Sequence, residues 1–296
     1  MKKSFVLFVS ILLLVLCMPV CAFADMGPKP SVNIEFTGAE GKEYYATLLS
    51  KTESTGPYYA ADESEPYTLL YSKGDEDYDI WLKFKEYKDS DGYYFLQYFE
   101  NCTQTDSFKW TYYPPSEFKI LLYYPQEDAF AVSGKYERYA FDSYFKADIS
   151  DVDFETGGDY KEFTAVKSYN YTWEIISLVC RIVLTVIIET ALADAWGFRR
   201  KKQLAFIGAV NVFTQTALNA ALNISNYKYG QYMFVFNYVW LEILVAAVEF
   251  AVFAAFLKKA DGEKYRKGVV ASYAAAANIV SFVLGLWLAK IIPGIF

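Results

Sequence analysis

Arg181, Glu189, Glu242 and Glu249 interrupt the interiors of the long apolar stretches of this 296-residue chain, and chemistry performed inside a membrane would have to involve them. Glu242 and Glu249 lie in YMFVFNYVWLEILVAAVEFAVFAAFL (232–257), seven residues apart and so on nearly one face of a helix. Arg181 and Glu189 share a face of an earlier apolar stretch, and Asn211, Gln215 and Asn219 recur every fourth residue on the next. Ionisable groups within a membrane are costly enough to signal a role. Counted from Tyr171 and Tyr232 at the outer interface, Arg181 and Glu242 both sit about 15 Å down, and Asn278 reaches a similar level. This depth match predicts an Arg181–Glu242 ion pair. Glu189, Glu249 and Asn211 fall nearer the cytoplasmic side and predict a polar cluster with no cation at its level. Such a cluster suits a proton or cation site, or a charge that docks a partner helix. Interhelical hydrogen bonds that only fix the packing of a small bundle are the alternative.

The elements that must carry these residues are four hydrophobic spans, 173–195, 204–222, 232–257 and 269–292, each long enough to cross a bilayer. They follow MKKSFVLFVSILLLVLCMPVCAFA (1–24), whose basic start, apolar centre and Ala22/Ala24 pair predict a secretory signal peptide cleaved after Ala24. An uncleaved anchor is the other reading of that segment. Export of the region after it puts loops 197–203 and 258–268 in the cytoplasm. These hold Arg199, Arg200, Lys201, Lys202, Lys258, Lys259, Lys264, Arg266 and Lys267, whereas the outer loop 223–231 has only Lys228, as the positive-inside rule requires. The expected location is the cell membrane, multi-pass, with the N-terminal domain and the C-terminus both extracellular.

Composition removes several function classes. The chain has no histidine, which excludes Ser-His-Asp and Cys-His catalysis and histidine-ligated zinc. Cys17, Cys21, Cys102 and Cys180 are too scattered for a disulfide framework or a metal cluster. From Asp25 to Lys167 there are 28 acidic and 14 basic residues, and from Ser168 onward 7 acidic and 12 basic. An acidic exported half argues against nucleic-acid binding. Asp75, Asp77 and Asp79 with Glu86 imitate a calcium loop, but Ile80 stands where such a loop needs glycine. Asp148, Asp151, Asp153 and Glu155 form a second acidic turn, and solvated turns account for both clusters. No metal, cofactor or catalytic residue is assigned, and the protein is expected not to be an enzyme.

Residues 25–168 carry alternating, Tyr- and Phe-rich segments separated by turn signals, with strands expected over 31–36, 43–50, 67–72, 78–87, 93–102, 107–113, 118–125, 129–141 and 144–149. Seven to nine short strands without a helical stretch predict an antiparallel β-sandwich of immunoglobulin-like type. The overall class is then an α+β membrane protein: signal peptide 1–24, extracytoplasmic sandwich 25–168 and four-helix transmembrane bundle 169–296. Doublets such as Tyr44-Tyr45, Tyr93-Tyr94 and Tyr123-Tyr124 must turn one ring outward if they sit in strands, and an aromatic outer face suits a ligand or protein partner. Ordinary β-propensity explains the same doublets without a partner.

Through ADMGPKPSV (24–32), YERYAFDSYF (136–145) and FRRKKQLAFIGAVNVFTQTALN (198–219) the chain resembles a group of uncharacterised membrane proteins of Gram-positive, clostridial-type bacteria. The resemblance covers most of the chain and implies no functional residues. The function expected from the residues is a non-enzymatic cell-surface protein. Its exported domain binds a ligand or protein partner, and its bundle anchors it in the lipid bilayer and associates with another membrane component. The alternative is a small proton- or cation-coupled transporter using the intramembrane glutamates.

Overall fold

A computed structural model describes residues 27–39, 41–152 and 161–291. The expected signal peptide, with Cys17 and Cys21, lies outside the described residues, as do Asp153 and Glu155 of the second acidic turn. The fold is α+β, with a β-rich N-terminal region followed by four long apolar helices.

Among the described residues, ten strands build two sheets: β1 (Ser31–Thr37), β2 (Tyr45–Ser50), β3 (Tyr94–Phe95), β4 (Glu100–Asn101), β5 (Ser107–Trp110), β6 (Glu117–Tyr124), β7 (Ala129–Glu137), β8 (Asp142–Asp148), β9 (Lys161–Phe163) and β10 (Ala165–Lys167). One sheet runs β10-β8-β1-β5; the other runs β3-β2-β6-β7-β9, with β4 paired to β2. The period-two pattern of β1 turns Val32, Ile34 and Phe36 inward, and β8 does the same with Phe145 and Ala147. They meet Ala46, Leu48, Phe118, Ile120 and Leu122 of the second sheet in a shared core. The pairing departs from a purely antiparallel arrangement, because β1 lies parallel to β8 and β7 parallel to β9. The two short strands β9 and β10, which follow the acidic turn, were not anticipated.

The larger correction concerns residues 67–87. No strand forms there: Pro66–Thr68 is a short 3-10 turn, and Tyr78–Glu86 is a helix, α1. Trp81 and Phe84, three apart, point the same way on this helix and are fully buried. Asp79 in the first turn and Lys83 and Lys85 in the last complement the helix dipole. Two ion pairs, Lys83–Asp128 at 2.6 Å and Lys85–Glu63 at 2.7 Å, tie it to its surroundings.

Helix α1 covers the face of the second sheet that the shared core leaves open, which creates a second core of Tyr45, Leu49, Phe95, Phe99, Leu121 and Tyr123. Strand β2 is consequently buried at every position. Tyr44 and Tyr45 enter opposite cores, and so do Tyr124 and Tyr123. Their expected outward rings are therefore interior ones. Cys102 is also interior, where burial first, and the nearby Glu100 second, push its thiol up to about 12. At neutral pH it is a protonated core residue, not a nucleophile.

The four long helices are α2 (Thr172–Ala195), α3 (Lys201–Tyr229), α4 (Gln231–Phe256) and α5 (Lys267–Ile291). Each packs on two neighbours, α2 and α4 both lying between α3 and α5, so the four close into a ring. All four are long and apolar enough to cross a membrane. Their surface is inverted relative to a water-soluble bundle. Ile175, Val179, Val183 and Ile187 of α2 point out, while Ser177, Thr185 and Glu189 point in. That is the pattern of a multi-pass membrane protein.

The β-rich region is fastened to the end of the bundle where α3 meets α4. The Phe141 amide donates to the Tyr227 carbonyl at 2.8 Å, and the Tyr139 and Tyr169 rings pack on Tyr227. Gly230 forms the whole α3–α4 connection with φ of 81° and ψ of 175°, and a Cβ there would stand 2.6 Å from the Phe141 ring. Gly230→Ala is expected to lower the thermal stability of the detergent-solubilised protein by about 1–3 kcal/mol through backbone strain alone. Gly208→Ala, where a Cβ meets its first neighbour at 3.9 Å, is the control and should leave the melting temperature unchanged or raised.

Candidate functional site

The inward face of α4 is a single stripe: Phe234, Tyr238, Glu242, Val245, Glu249 and Phe253, spaced three or four residues apart. Helix α3 answers with Asn211, Thr214, Gln215, Leu218 and Asn219, and α5 with Tyr273, Ala274, Ala277, Asn278 and Ser281. Helical periodicity alone thus delivers the polar residues of three helices, with Arg181 and Glu189 of α2, to one interior.

Glu249 is fully buried and is held from two sides. Its Oε1 accepts from the Thr214 hydroxyl of α3 at 2.7 Å, and its Oε2 accepts from Asn278 Nδ2 of α5 at 2.7 Å. Glu189 is equally buried; Ser281 Oγ lies 3.3 Å from its Oε1, while Oε2 has no hydrogen-bond partner. Ser281 follows Asn278 by three residues, so one turn of α5 touches both carboxylates. Asn211 faces Glu189 closely enough to influence its charge, yet neither of its amide atoms is aligned in a hydrogen bond. Glu189, Glu249 and Asn211, expected as a cluster, are brought into one neighbourhood. Among the described residues, no group of three acidic, cysteine or histidine side chains is arranged to hold a metal.

Arg181 and Glu242 occupy the part of the interior nearer the β-rich region. Arg181 Nη1 donates to Asn219 Oδ1 at 3.1 Å, and the guanidinium lies over the Phe234 ring at 5.3 Å. Tyr238 neighbours both Arg181 and Glu242 and hydrogen-bonds the latter. The two residues expected to pair thus share one phenol. Arg181, Gln215, Asn219, Tyr238 and Ser281 line a cavity of about 30 Å³, enough for a water molecule. Through Ser281 this polar track reaches Glu189. At its two ends stand apolar clusters, Leu218, Leu222, Phe234 and Val245 toward the β-rich region and Phe198, Ile207, Phe253 and Tyr273 at the opposite end.

Asn278 is where depth counting from the sequence goes astray. It predicts a level shared with Arg181 and Glu242, but Asn278 binds Glu249. Side chains lean toward the N-terminus of their own helix. In the antiparallel helices α4 and α5, Glu249 therefore leans toward the β-rich region and Asn278 away from it, and they meet. The i, i+3 spacing of Asn278 and Ser281 was the signal that could have revealed Ser281. Comparison with protein families, with curated proteins and with solved structures finds no match for this chain.

Proposed function

We propose that the chain is a small proton- or cation-coupled membrane protein in which Glu249 and Glu189 form the coupling site. The observation that carries this reading is the pair of fully buried carboxylates, joined through Asn278 and Ser281, with hydroxyl and amide partners but no basic side chain among the contacts found for either. Packing alone is served as well by Asn, Gln and Ser, without the cost of placing two acids in a dry interior. The exported β-rich domain, a two-sheet sandwich on this reading, is fixed over the extracytoplasmic end of the bundle. The basic loops belong to the cytoplasmic end; Arg200 and Gln203 bind the Lys259 and Lys258 carbonyls, which supports grouping both loops there.

The test is flux through the full chain in liposomes, with an imposed pH, Na⁺ or K⁺ gradient and a dye or electrode specific for each ion. Wild-type protein should pass one of these ions, and Glu249→Gln should bring the rate to that of protein-free liposomes. Absence of flux under every gradient would sink the proposal.

A second reading, capture of a ligand or protein partner by the β-rich domain, loses the outward rings expected at Tyr44-Tyr45 and Tyr123-Tyr124, while Tyr94 stays exposed. It keeps one support, an open groove of about 680 Å³ lined by Tyr59, Lys85, Lys88, Tyr93 and Tyr94. Cross-linking on intact cells followed by partner identification separates it from the first.

A further inference from the structure

We propose that Glu189, Asn211, Asn278 and Ser281 form the oxygen shell of a dehydrated monovalent cation of sodium size, with Glu249 as the adjoining negative charge. This deepens, and rests on, the reading of Glu189 and Glu249 as the coupling pair. The argument is a balance of donors and acceptors. The charged and titratable groups facing the site are Glu189 from α2, Glu242 and Glu249 from α4 and Tyr273 from α5; α3 contributes only neutral Asn211, Thr214 and Gln215. Most donors are already committed, Asn211 Nδ2 and Gln215 Nε2 being the open ones. Thr214 reaches Glu249, Tyr273 donates to the Glu189 backbone carbonyl at 3.0 Å, and the Asn278 amide nitrogen serves Glu249 and the Ala274 carbonyl.

Against those two donors stand three open acceptors. Glu189 Oε2, Asn278 Oδ1 and Asn211 Oδ1 are all buried and have no hydrogen-bond partner. Asn211 is 0% exposed and Asn278 5%, so these oxygens are not satisfied by bulk water. Unmatched polar atoms in such a place are costly. A proton would satisfy one carboxylate oxygen and leave both amide oxygens orphaned, whereas a cation is attracted by all three. The Ser281 hydroxyl, which sits between Glu189 Oε1 and the Asn278 carbonyl, offers a further oxygen. A calcium ion asks for six to eight oxygens and magnesium for a strict octahedron with retained water. The few oxygens here suit neither, and a singly charged ion is also the least costly to dehydrate.

The experiment uses the full chain purified in detergent. Thermal unfolding is followed in NaCl, KCl, CaCl₂ and choline chloride at matched ionic strength, and radioactive sodium is used to measure binding directly. Sodium should raise the melting temperature saturably with choline inert, and one ion should bind per chain. Asn211→Ala and Asn278→Ala should raise the half-saturating sodium concentration by about 10-fold or more, no less than the loss of groups that merely orient metal ligands. Should a variant fail to fold, sodium binding by the wild type still decides the matter. No saturable response and no bound sodium would overturn the proposal, as would stabilisation by calcium alone. Glu249-dependent proton flux in sodium-free liposomes, without sodium binding, overturns the sodium site but upholds the coupling pair. Sodium binding with no flux of any ion does the reverse.

Discussion

Trp81→Ala is expected to destabilise the β-rich domain by about 3–5 kcal/mol, the range for truncating a large buried aromatic. Trp81 is 1% exposed, stacks on Tyr71 at 5.8 Å, meets the tilted Tyr78 ring at 5.5 Å, and lies beneath the Lys85 ammonium. This change also tests the helix itself. In a strand over 78–87, Trp81 would face opposite to Ile80, Leu82 and Phe84, and its loss would matter little. Because α1 buries Trp81 and Phe84 together, both truncations should be severe, while Glu86→Ala on the exposed side should stay within about 0.5 kcal/mol. Urea unfolding of the 25–168 fragment provides the measurement, since both of its cores are drawn from residues 32–165. Equal, small effects of Trp81→Ala and Glu86→Ala would contradict the helix.

The second large effect is electrostatic. Lys119 projects from β6 on the α1 side of the sheet, its side chain 6% exposed, and grips Asp89 at 2.7 Å and Asp91 at 2.9 Å. Asp89 is itself 1% exposed and accepts hydrogen bonds from the Asp91 and Tyr93 amides, so the pair fastens the turn after α1 to the sheet. Lys119→Met keeps the stem but strands the Asp89 carboxylate. The expected cost is about 3–5 kcal/mol, the range for breaking a buried pair by removing one partner. Adding Asp89→Asn should recover part of it, because the stranded charge is gone. Burial pulls the Lys119 ammonium down, but its bonds to Asp89 and Asp91 outweigh this and hold it above the usual lysine range. The Asp91 carboxyl is lowered by its bonds to Lys119 and Lys135. A lowered carboxylate stabilises above its unfolded pKa of about 3.9 and loses that contribution as acid titrates it in the folded state. Stability should therefore fall below about pH 4, and less steeply in Lys119→Met. Urea midpoints across pH 2–7 check both statements.

These two cases mark what was legible in the sequence. The four spans were, because runs of apolar residues in lipid obey one strong constraint, and so was the inward face of α4, which follows from the seven-residue spacing of Glu242 and Glu249. Helix α1 was not. YDIWLKFKEY satisfies a period of two through Ile80, Leu82 and Phe84 and a helical period through Trp81 and Phe84. The acids before it and the lysines at its end were the deciding signal. The burial of both members of Tyr44-Tyr45 followed from that helix and could not be read without it. At the site, Glu189, Glu249 and Asn211 were recognisable by residue type and depth. The bonds from Thr214, Asn278 and Ser281 depended on side-chain lean, which counting Cα positions ignores.

The parallel pairing of β1 with β8 governs the order in which the protein can be made. Ser31 Oγ donates to Asp142, 111 positions later, and the strand that closes the sheet beyond β8 ends at Lys167, only a few residues before α2 begins. A chain emerging N-terminus first cannot complete this sheet until nearly the whole β-rich region is available. Contacts between such distant positions form slowly. The first strand must therefore wait, open and apolar on one face, while the first membrane helix is arriving. Closure of this sheet and the arrival of the first long helix are thus coupled in time, and the moment most exposed to proteolysis and aggregation is the interval before α2 is seated.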